Sequence, residues 1–479
     1  MVFSSFTFLI IFLPFTLVIY FILPHKHRNL FLLIMSLIFY MWGSPQYLLV
    51  MIGVIIVNYF FGIYLDKADR IGFNKKYILI AGIIVNVLVL FIFKYLSFTL
   101  NNISNFIASI GFDSWKYIDI ALPVGISFYI FQSISYLVDV YRHDAPVQKN
   151  FKNLALFISM FPQLVAGPIV RYNSIASDIE RERRISLDAF TLGLQIFLIG
   201  LAKKVLIANN MAIVADNIFG QNPEYISPLI AWLGAVCYAL QIYFDFSGYS
   251  DMAIGLGIIF GFKFPLNFNY PYIALSITDF WRRWHISLSS WFRDYVYIPL
   301  GGNRVKVSRM YINLFIVFAV TGIWHGANWT FLAWGLFHGL FLVIEKITGL
   351  HKIERFKIIR WAITMVIVLI GWVIFRADNI EVAFDYISVM FGATPNKLYI
   401  VDYSAYFQYI SFIVLLGISF IGATPVIKNT VFKGIDAFNY QQVAYPLWLL
   451  QCVILIISTV IVYMFLSNSS YNPFIYFRF

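Results

Sequence analysis

Charged residues are scarce in this chain. Asp, Glu, Lys and Arg together make up 12% of its 479 residues, whereas about 25% is usual in soluble globular domains. Hydrophobic residues account for 61% of the sequence. So little charge cannot supply a polar surface in water, which excludes a soluble globule and predicts an all-α polytopic membrane protein.

Cysteine is also nearly absent. The chain contains only Cys237 and Cys452, and each lies inside an apolar run. Two isolated cysteines exclude a disulfide framework and a cysteine-based metal site. We predict that both are small core residues, that the protein has no metal site and that it carries no bound cofactor.

Motifs of soluble hydrolases and nucleotide-binding proteins are missing. The sequence contains no Gly-x-Ser-x-Gly and no paired carboxylates of the kind used for hydrolysis. Asp245 and Asp251 could hold a cation, but we expect them to orient backbone or Arg groups. The turn PLGGNR at residues 299–304 lacks the spacing of a nucleotide loop, so an interfacial turn is favoured over a phosphate site.

The net charge of +11 does not indicate nucleic-acid binding, because Lys and Arg of membrane proteins gather in cytoplasmic loops. The alternative use is a basic face for an anionic donor. Basic residues concentrate in segments 24–28, 66–76 and 142–152. Five crossings from an outside N-terminus would place all three segments in the cytoplasm. The first apolar run has no preceding Lys or Arg and no cleavage pattern, so we expect a retained helix.

Helix-length apolar runs extend along the whole chain. They lie at about residues 4–23, 29–42, 46–65, 77–97, 121–141, 189–207, 227–246, 311–323, 329–345, 359–375, 405–422 and 446–466. Run 153–170 contains prolines and has basic flanks on both sides, which predicts a broken or re-entrant element. Run 249–262 is too short to span comfortably and predicts a second partial insertion. Of these twelve runs we expect ten or eleven to be transmembrane helices, in a single domain over residues 1–479.

Residues 265–304 depart from this pattern. They read PLNFNYPYIALSITDFWRRWHISLSSWFRDYVYIPLGGNR and mix ionisable side chains with many aromatic rings. Ionisable groups beside a bilayer are costly and therefore indicate function. Residues 279–296 predict one helix with an aromatic stripe and with His285 at its edge. The alternative is an interfacial amphipathic helix without a catalytic role.

His325 is the second unusual residue, because it lies between glycines in TGIWHGANW at residues 321–329. A histidine between two apolar runs needs a partner or a wet cavity, and a neutral imidazole there suits a general base for a hydroxyl acceptor. Gly322 with Gly326, and Gly335 with Gly339, have the four-residue spacing that favours close helix approach.

The remaining histidines are weaker candidates. On a continuous helix His338 would lie about 140° around from His325, at 3.6 residues per turn, so it is a poor candidate to share a face with His325. The histidines at positions 25, 27, 143 and 351 lie in predicted loops and are expected to be solvated.

The most distinctive segments are FDFSGYSDMAIGLG at residues 244–257, FNYPYIALSITDFWRRWHISLSSWFRDYVYIPLGGNR at 268–304 and TGIWHGANWTFLAWGLFHG at 321–339. They resemble the membrane-bound O-acyltransferase family. Residues 1–14, 122–142, 161–172 and 473–479 resemble its bacterial alginate O-acetyltransferase branch, so the likeness covers most of the chain. The forms IPLGGNR and TGIWHGANW favour that branch over the D-alanyl transfer proteins of teichoic acids.

This resemblance implies a ring of transmembrane helices around a central pore, with the core motifs in residues 244–339. It makes His325 the catalytic histidine, which acts as general base on the accepting hydroxyl, and His285 its companion. Further candidates for contact with the substrate or the donor are Asn267, Asn269, Asp279, Trp281, Arg282, Arg283, Arg293, Trp324 and Asn328.

The resemblance also implies a reaction and its partners. A cytoplasmic thioester, acetyl-CoA, would supply the acetyl group for O-acetylation of an extracytoplasmic polysaccharide, directly or through a partner with an SGNH-type esterase fold. We expect a multi-pass protein of the bacterial cytoplasmic membrane that contacts lipids and no nucleic acid. The alternatives are D-alanyl or other acyl transfer from a carrier protein, a polysaccharide exporter and a non-catalytic scaffold.

Overall fold

All regular secondary structure in the described part of the chain is helical. The computed structural model describes residues 2–113, 120–353, 355–393, 410–437, 443–468 and 471–473. Within these ranges, eight helices are long and apolar enough to span a membrane, and Phe8–Ile22 and Ile410–Gly422 are shorter apolar helices. The prediction of an all-α polytopic membrane protein is therefore confirmed. The count of ten or eleven helices and the central pore stay predictions.

The chain forms two units, Met1–Gly193 with Leu256–Pro265, and Leu194–Gly255 with Leu266–Phe479. The single domain stays a prediction. In chain order the described helices are α1 (Leu13–Ile22), α2 (His25–Gly43), α3 (Leu48–Arg70), α4 (Lys75–Leu90), α5 (Leu96–Ser109), α6 (Ile126–Arg142), α7 (Phe151–Ser159), α8 (Phe161–Leu164), α9 (Tyr172–Glu180), α10 (Leu187–Ala202), α11 (Asn209–Phe219), α12 (Pro228–Phe260), α13 (Ile277–Arg283), α14 (Ile286–Phe292), α15 (Val307–His325), α16 (Trp329–Thr348), α17 (Lys357–Arg376), α18 (Ile380–Met390), α19 (Ile410–Gly422), α20 (Val426–Thr430) and α21 (Tyr445–Asn468).

The proline-containing run 153–170 of the first unit is broken, as predicted. Helix α7 ends at Ser159, the single turn α8 follows, and the chain then continues without helix to Val170. Every residue from 154 to 170 is buried. Irregular backbone at membrane depth is tolerated when protein covers it, and this burial meets that condition.

The helix over run 77–97 extends well beyond the end of that run. Helix α4 continues through the π-helical turn Phe91–Tyr95 into α5, which ends at Ser109. The helical segment Lys75–Ser109 is therefore 35 residues long. Asn86 and Asn58 of α3 exchange amide hydrogen bonds of 2.8 and 3.0 Å in this unit, which satisfies two buried polar side chains.

Helix α12 corrects the prediction of a crossing at 227–246 followed by a separate insertion at 249–262. It runs unbroken for 33 residues. Gly248, which lies between the two predicted segments, admits a close helix contact. A Cβ atom on Gly248 would lie 2.6 Å from the carbonyl oxygen of Gly200 in α10, and one on Gly200 would lie 2.5 Å from the carbonyl oxygen of Gly248.

We expect Gly200→Ala to lower the free energy of unfolding by about 1–3 kcal/mol, the range for an overpacked interior. The added methyl group would meet backbone, which cannot rotate away. Thermal unfolding in detergent measures the effect. Gly417→Ala in α19 is the control, because a Cβ atom there has nothing within 4 Å. An unchanged unfolding temperature for Gly200→Ala would contradict the close contact.

Candidate active site

The distinctive stretch at residues 265–304 is not one helix. Helix α13 ends at Arg283, α14 begins at Ile286, and a π-helical turn, Arg293–Tyr297, follows. The predicted helix over residues 279–296 is therefore wrong. The break occurs at His285, whose φ of 43° and ψ of 54° are left-handed, a conformation that is uncommon for a non-glycine residue.

Backbone pairing with residues 267–269 explains this break. The amide of Ile286 donates to the carbonyl oxygen of Asn267 at 2.9 Å, and the amide of Asn269 donates to the carbonyl oxygen of Arg283 at 2.9 Å. These bonds satisfy groups on both sides of His285 that a continuous helix would pair within itself. Residues 267–269 lie more than a dozen residues upstream, so no local sequence pattern around His285 predicts the break.

The Asn267 side chain also holds the His285 ring. Its Oδ1 lies 2.9 Å from Nδ1 of His285 and accepts the hydroxyl of Ser287 at 2.8 Å. The backbone amide of Ser287 points to the same oxygen at 3.4 Å. At the other end of the amide, Nδ2 donates to Oγ of Ser250 at 2.9 Å. Asn267 is fully buried, and both ends of its side-chain amide are hydrogen-bonded to other residues of the protein.

The His285 ring is buried with 1% of its surface exposed. Burial lowers the pKa of His285 well below its usual range, and the nearby charge of His325 lowers it further. The imidazole is therefore neutral near pH 7.

His325 ends α15 and is 6% exposed. Three aromatic rings surround it at steep angles, with centroid distances of 4.9 Å to Trp324, 5.0 Å to Trp334 and 5.2 Å to Phe375. Aromatic faces attract a cation within about 6 Å of the ring centroid. This surrounding therefore suits an imidazole that becomes positively charged when it takes a proton.

Trp324 connects the two histidines that the sequence singled out. Its ring lies 4.9 Å from His325 and 6.2 Å from His285. Residues that are forty apart in the chain thus contact one indole ring. Such a pair places two imidazole rings in one buried, aromatic surrounding, and a positioned imidazole suits proton transfer from a hydroxyl.

His338 lies closer to this group than expected. The expectation assumed a continuous helix, but α15 ends at His325 and α16 begins at Trp329, where Asn328 accepts the amide of Thr330 at 3.2 Å as a helix cap. Trp334 of α16 contacts both His325, at 5.0 Å, and His338, at 5.3 Å. The assumption of one continuous helix was therefore wrong, and Gly326 and Asn328 are the signals for a helix end and a helix start.

Close packing of α15 against α16 produces this arrangement, as the glycine spacing predicted. A Cβ atom on Gly322 would overlap the carbonyl group of Phe331, and one on Gly335 would overlap the carbonyl oxygen of Phe318. The two helices therefore approach at their backbones, as small residues permit.

Glu345 is a supporting residue that sequence reasoning missed. Its carboxylate accepts the backbone amides of Ile277 and Thr278 at 2.6 and 2.9 Å and the Thr278 hydroxyl at 2.8 Å. A carboxylate at the first amides of a helix satisfies unpaired donors and the helix dipole. Glu345 thereby ties α16, which carries His338, to α13, which leads directly to His285.

Comparison with known proteins places these residues in a family. Residues 145–384 match the model of MBOAT, the membrane-bound O-acyltransferase family. The probable alginate O-acetylase AlgI of Pseudomonas putida is 41% identical over the full length of both chains. That of Pseudomonas syringae pv. tomato is 48% identical over 82% of this chain and 75% of its own. The peptidoglycan O-acetyltransferase of Helicobacter pylori is 40% identical over 83% and 81%.

This chain belongs to the membrane-bound O-acyltransferase family. It is therefore an enzyme, an O-acyltransferase. The matched residues 145–384 contain His285, His325 and Asn267.

The other predicted contact residues of this O-acyltransferase differ in what they are bonded to. Asp279 pairs with Arg283 at 2.9 Å, Arg293 pairs with the neighbouring Asp294 at 2.6 Å, and Asn328 also donates to the carbonyl oxygen of Asp378 at 2.8 Å. The bonded Asp294 carboxylate raises the pKa of Arg293.

Trp281 is buried against Trp334 and His338, Asn269 pairs through its backbone, and Arg282 is exposed. Contact with substrate or donor stays a prediction for all of them.

The two aspartates at residues 244–251 each pair with a lysine. Asp245 lies 2.8 Å from Lys204, and Asp251 lies 2.6 Å from Lys203. Both lysines belong to the π-helical turn Lys203–Ala208 that joins α10 to α11. The pairs therefore tie this turn to α12.

A cavity of about 1200 Å³ lies in the second unit of the O-acyltransferase. Its wall is mostly apolar and includes Phe268, whose ring also stacks on His285 at 6.4 Å. Neither His285 nor His325 lines this cavity. The cavity therefore lies beside Phe268, which packs against His285, and the imidazole rings of His285 and His325 do not line it.

Proposed function

We propose that this O-acyltransferase moves an acetyl group from a cytoplasmic thioester, acetyl-CoA, to hydroxyl groups of an extracytoplasmic polysaccharide. His325 acts as the general base. The protein works in the bacterial cytoplasmic membrane, beside an extracytoplasmic partner with an SGNH-type esterase fold.

One observation carries the proposal. His285 and His325 are both buried, and both pack against the indole ring of Trp324. Such aromatic surroundings suit a transient imidazolium. Acyl transfer to an alcohol needs a base at the hydroxyl and a site from which bulk water is kept away. The names of the relatives, an alginate O-acetylase and a peptidoglycan O-acetyltransferase, support an acetyl group as cargo and a polysaccharide as acceptor.

The proposed reaction balances without an added reagent. His325 takes the proton of the accepting hydroxyl while the oxygen of that hydroxyl attacks the thioester carbonyl carbon. The carbon–sulfur bond then breaks, and the thiolate of CoA takes up the proton that His325 held. The products are an O-acetyl ester and free CoA.

The donor is tested with purified protein in proteoliposomes, supplied with radiolabelled acetyl-CoA on the cytoplasmic face. We expect label on acceptor hydroxyls in the wild type and in His27→Ala, because His27 is exposed and lies in the first unit. Rates are compared at equal amounts of folded protein.

Two outcomes would change the proposal. Labelling only from a carrier-protein thioester would replace acetyl-CoA as donor and favour the D-alanyl type of transfer, which the teichoic acid D-alanyltransferase of Bacillus subtilis represents with 32% identity over 46% of this chain. Absence of label from either donor, with folded protein, would remove the proposed reaction.

A further inference from the structure

We infer that Asn267 is a positioning residue: it fixes His285 as the Nδ1–H tautomer, so that Nε2 is presented as a hydrogen-bond acceptor for a second hydroxyl of the acceptor. This inference rests on the proposed function, which assigns the reacting hydroxyl to His325.

The first step is the orientation of the Asn267 amide. A backbone N–H can only donate, and that of Ser287 points at the Asn267 atom that faces His285. That atom is therefore the carbonyl oxygen. Ser250 holds the opposite end of the amide at 2.9 Å, so the side chain is held at both ends and cannot turn over without losing several hydrogen bonds.

The second step is the consequence for the ring. Because Oδ1 accepts from Nδ1 at 2.9 Å, the alternative tautomer would place two lone pairs against each other. Histidines that function through one nitrogen are commonly held by a hydrogen bond to the other. Phe246, at 4.6 Å and perpendicular, packs against the ring and restricts its rotation.

The third step concerns Nε2. This atom is buried and has no hydrogen-bond partner among the residues that the structure describes. A buried acceptor without a partner costs about 1–3 kcal/mol. A ligand that brings an O–H group removes that cost. A hydroxyl has one proton to give, and His325 takes that of the reacting hydroxyl, so His285 would accept from a different hydroxyl. A sugar acceptor carries several, and this pair of histidines would select for such a substrate.

The left-handed backbone at His285 agrees with this role. Strained conformations persist where surrounding structure holds them, and they cluster at functional sites. The backbone of Asn267 bonds the residue after His285, so one residue holds both the backbone break and the side-chain tautomer.

The test compares Asn267→Leu with Asn267→Asp in the proteoliposome assay. Leucine removes the acceptor atom, whereas aspartate keeps it. For Asn267→Leu we expect KM for the acceptor to rise and kcat/KM to fall by about 10- to 100-fold, the loss found when a group that orients a metal-binding histidine is removed. KM for acetyl-CoA stays unchanged. Asn267→Asp keeps most of the activity. Asn86→Leu, which removes another buried and bonded amide, controls for lost stability and leaves both KM values unchanged.

A loss of active protein alone would lower kcat and leave the acceptor KM as it is, and that result would overturn the inference. Equal losses in Asn267→Leu and Asn267→Asp would also overturn it. Nitrogen-15 spectra of histidine-labelled protein, assigned by comparison with His285→Gln, give an answer that does not depend on the reaction. We expect a protonated Nδ1 and a bare Nε2 in the wild type and a mixture in Asn267→Leu. If the wild type transfers no acetyl but shows this tautomer, the proposed function fails and the positioning by Asn267 stands.

Discussion

We expect His325→Gln to lower acetyl transfer by about 10²–10⁴-fold, the contribution of a general base. Glutamine is of similar length and keeps a hydrogen-bonding group near Trp324, Trp334 and Phe375, but its amide cannot accept a proton at neutral pH. The measurement is the initial rate of label transfer from acetyl-CoA in proteoliposomes, at saturating donor and normalised to folded protein.

A buried histidine in the same aromatic group provides the matched control. His338 contacts Trp334 as His325 does, and it is 1% exposed. Because it has no assigned proton transfer, we expect His338→Gln to keep most of the transfer activity of the folded protein. Equal losses in the two variants would mean that packing around Trp334, and not a base at His325, sets the rate. Full activity of His325→Gln would exclude this residue as the base.

The sequence was informative about this group of residues wherever the signal was local. The WHG motif identified His325, and the glycine spacing predicted the close approach of α15 and α16. The positions of most apolar runs agree with helices, because a span needs about twenty apolar residues whatever its neighbours are. Pro162 and Pro168 likewise indicated a broken segment by their effect on local backbone.

The features that could not be predicted depend on partners distant in the chain. The break at His285 needs the backbone of Asn267, and the carboxylate that begins α13 comes from Glu345. Gly248 of α12 contacts Gly200 of another helix, and the sequence could not show this, since a glycine alone fits a break or a contact equally well. Helical periodicity applies only within one helix. It could not place His338 relative to His325, because the chain turns between the end of α15 and the start of α16.

A buried ion pair links two helical segments in this part of the protein. Lys204 and Asp245 are 2.8 Å apart, with only 3% and 2% of their side chains exposed. Lys204 also donates to the carbonyl oxygen of Pro473. Charges within a membrane span are costly unless they are paired, and this pair lies on α12 and the turn that precedes α11. We therefore expect the pair to be decisive for folding and not for the acetyl-transfer chemistry.

The expected result is that Lys204→Met lowers the free energy of unfolding by about 3–5 kcal/mol, because it leaves the Asp245 carboxylate buried without this cation. Denaturation in mixed detergent micelles measures the loss. The double variant Lys204→Met with Asp245→Leu should recover most of it, since two apolar residues can replace a buried ion pair at little cost. Lys203→Met is the neighbouring control: its pair with Asp251 is about a quarter exposed, at 25% and 24%, so solvent can hydrate the remaining carboxylate and the loss should be smaller. If Lys204→Met and Lys203→Met lose the same amount, or if the double variant is no more stable than Lys204→Met alone, burial of the charge is not what makes Lys204 necessary.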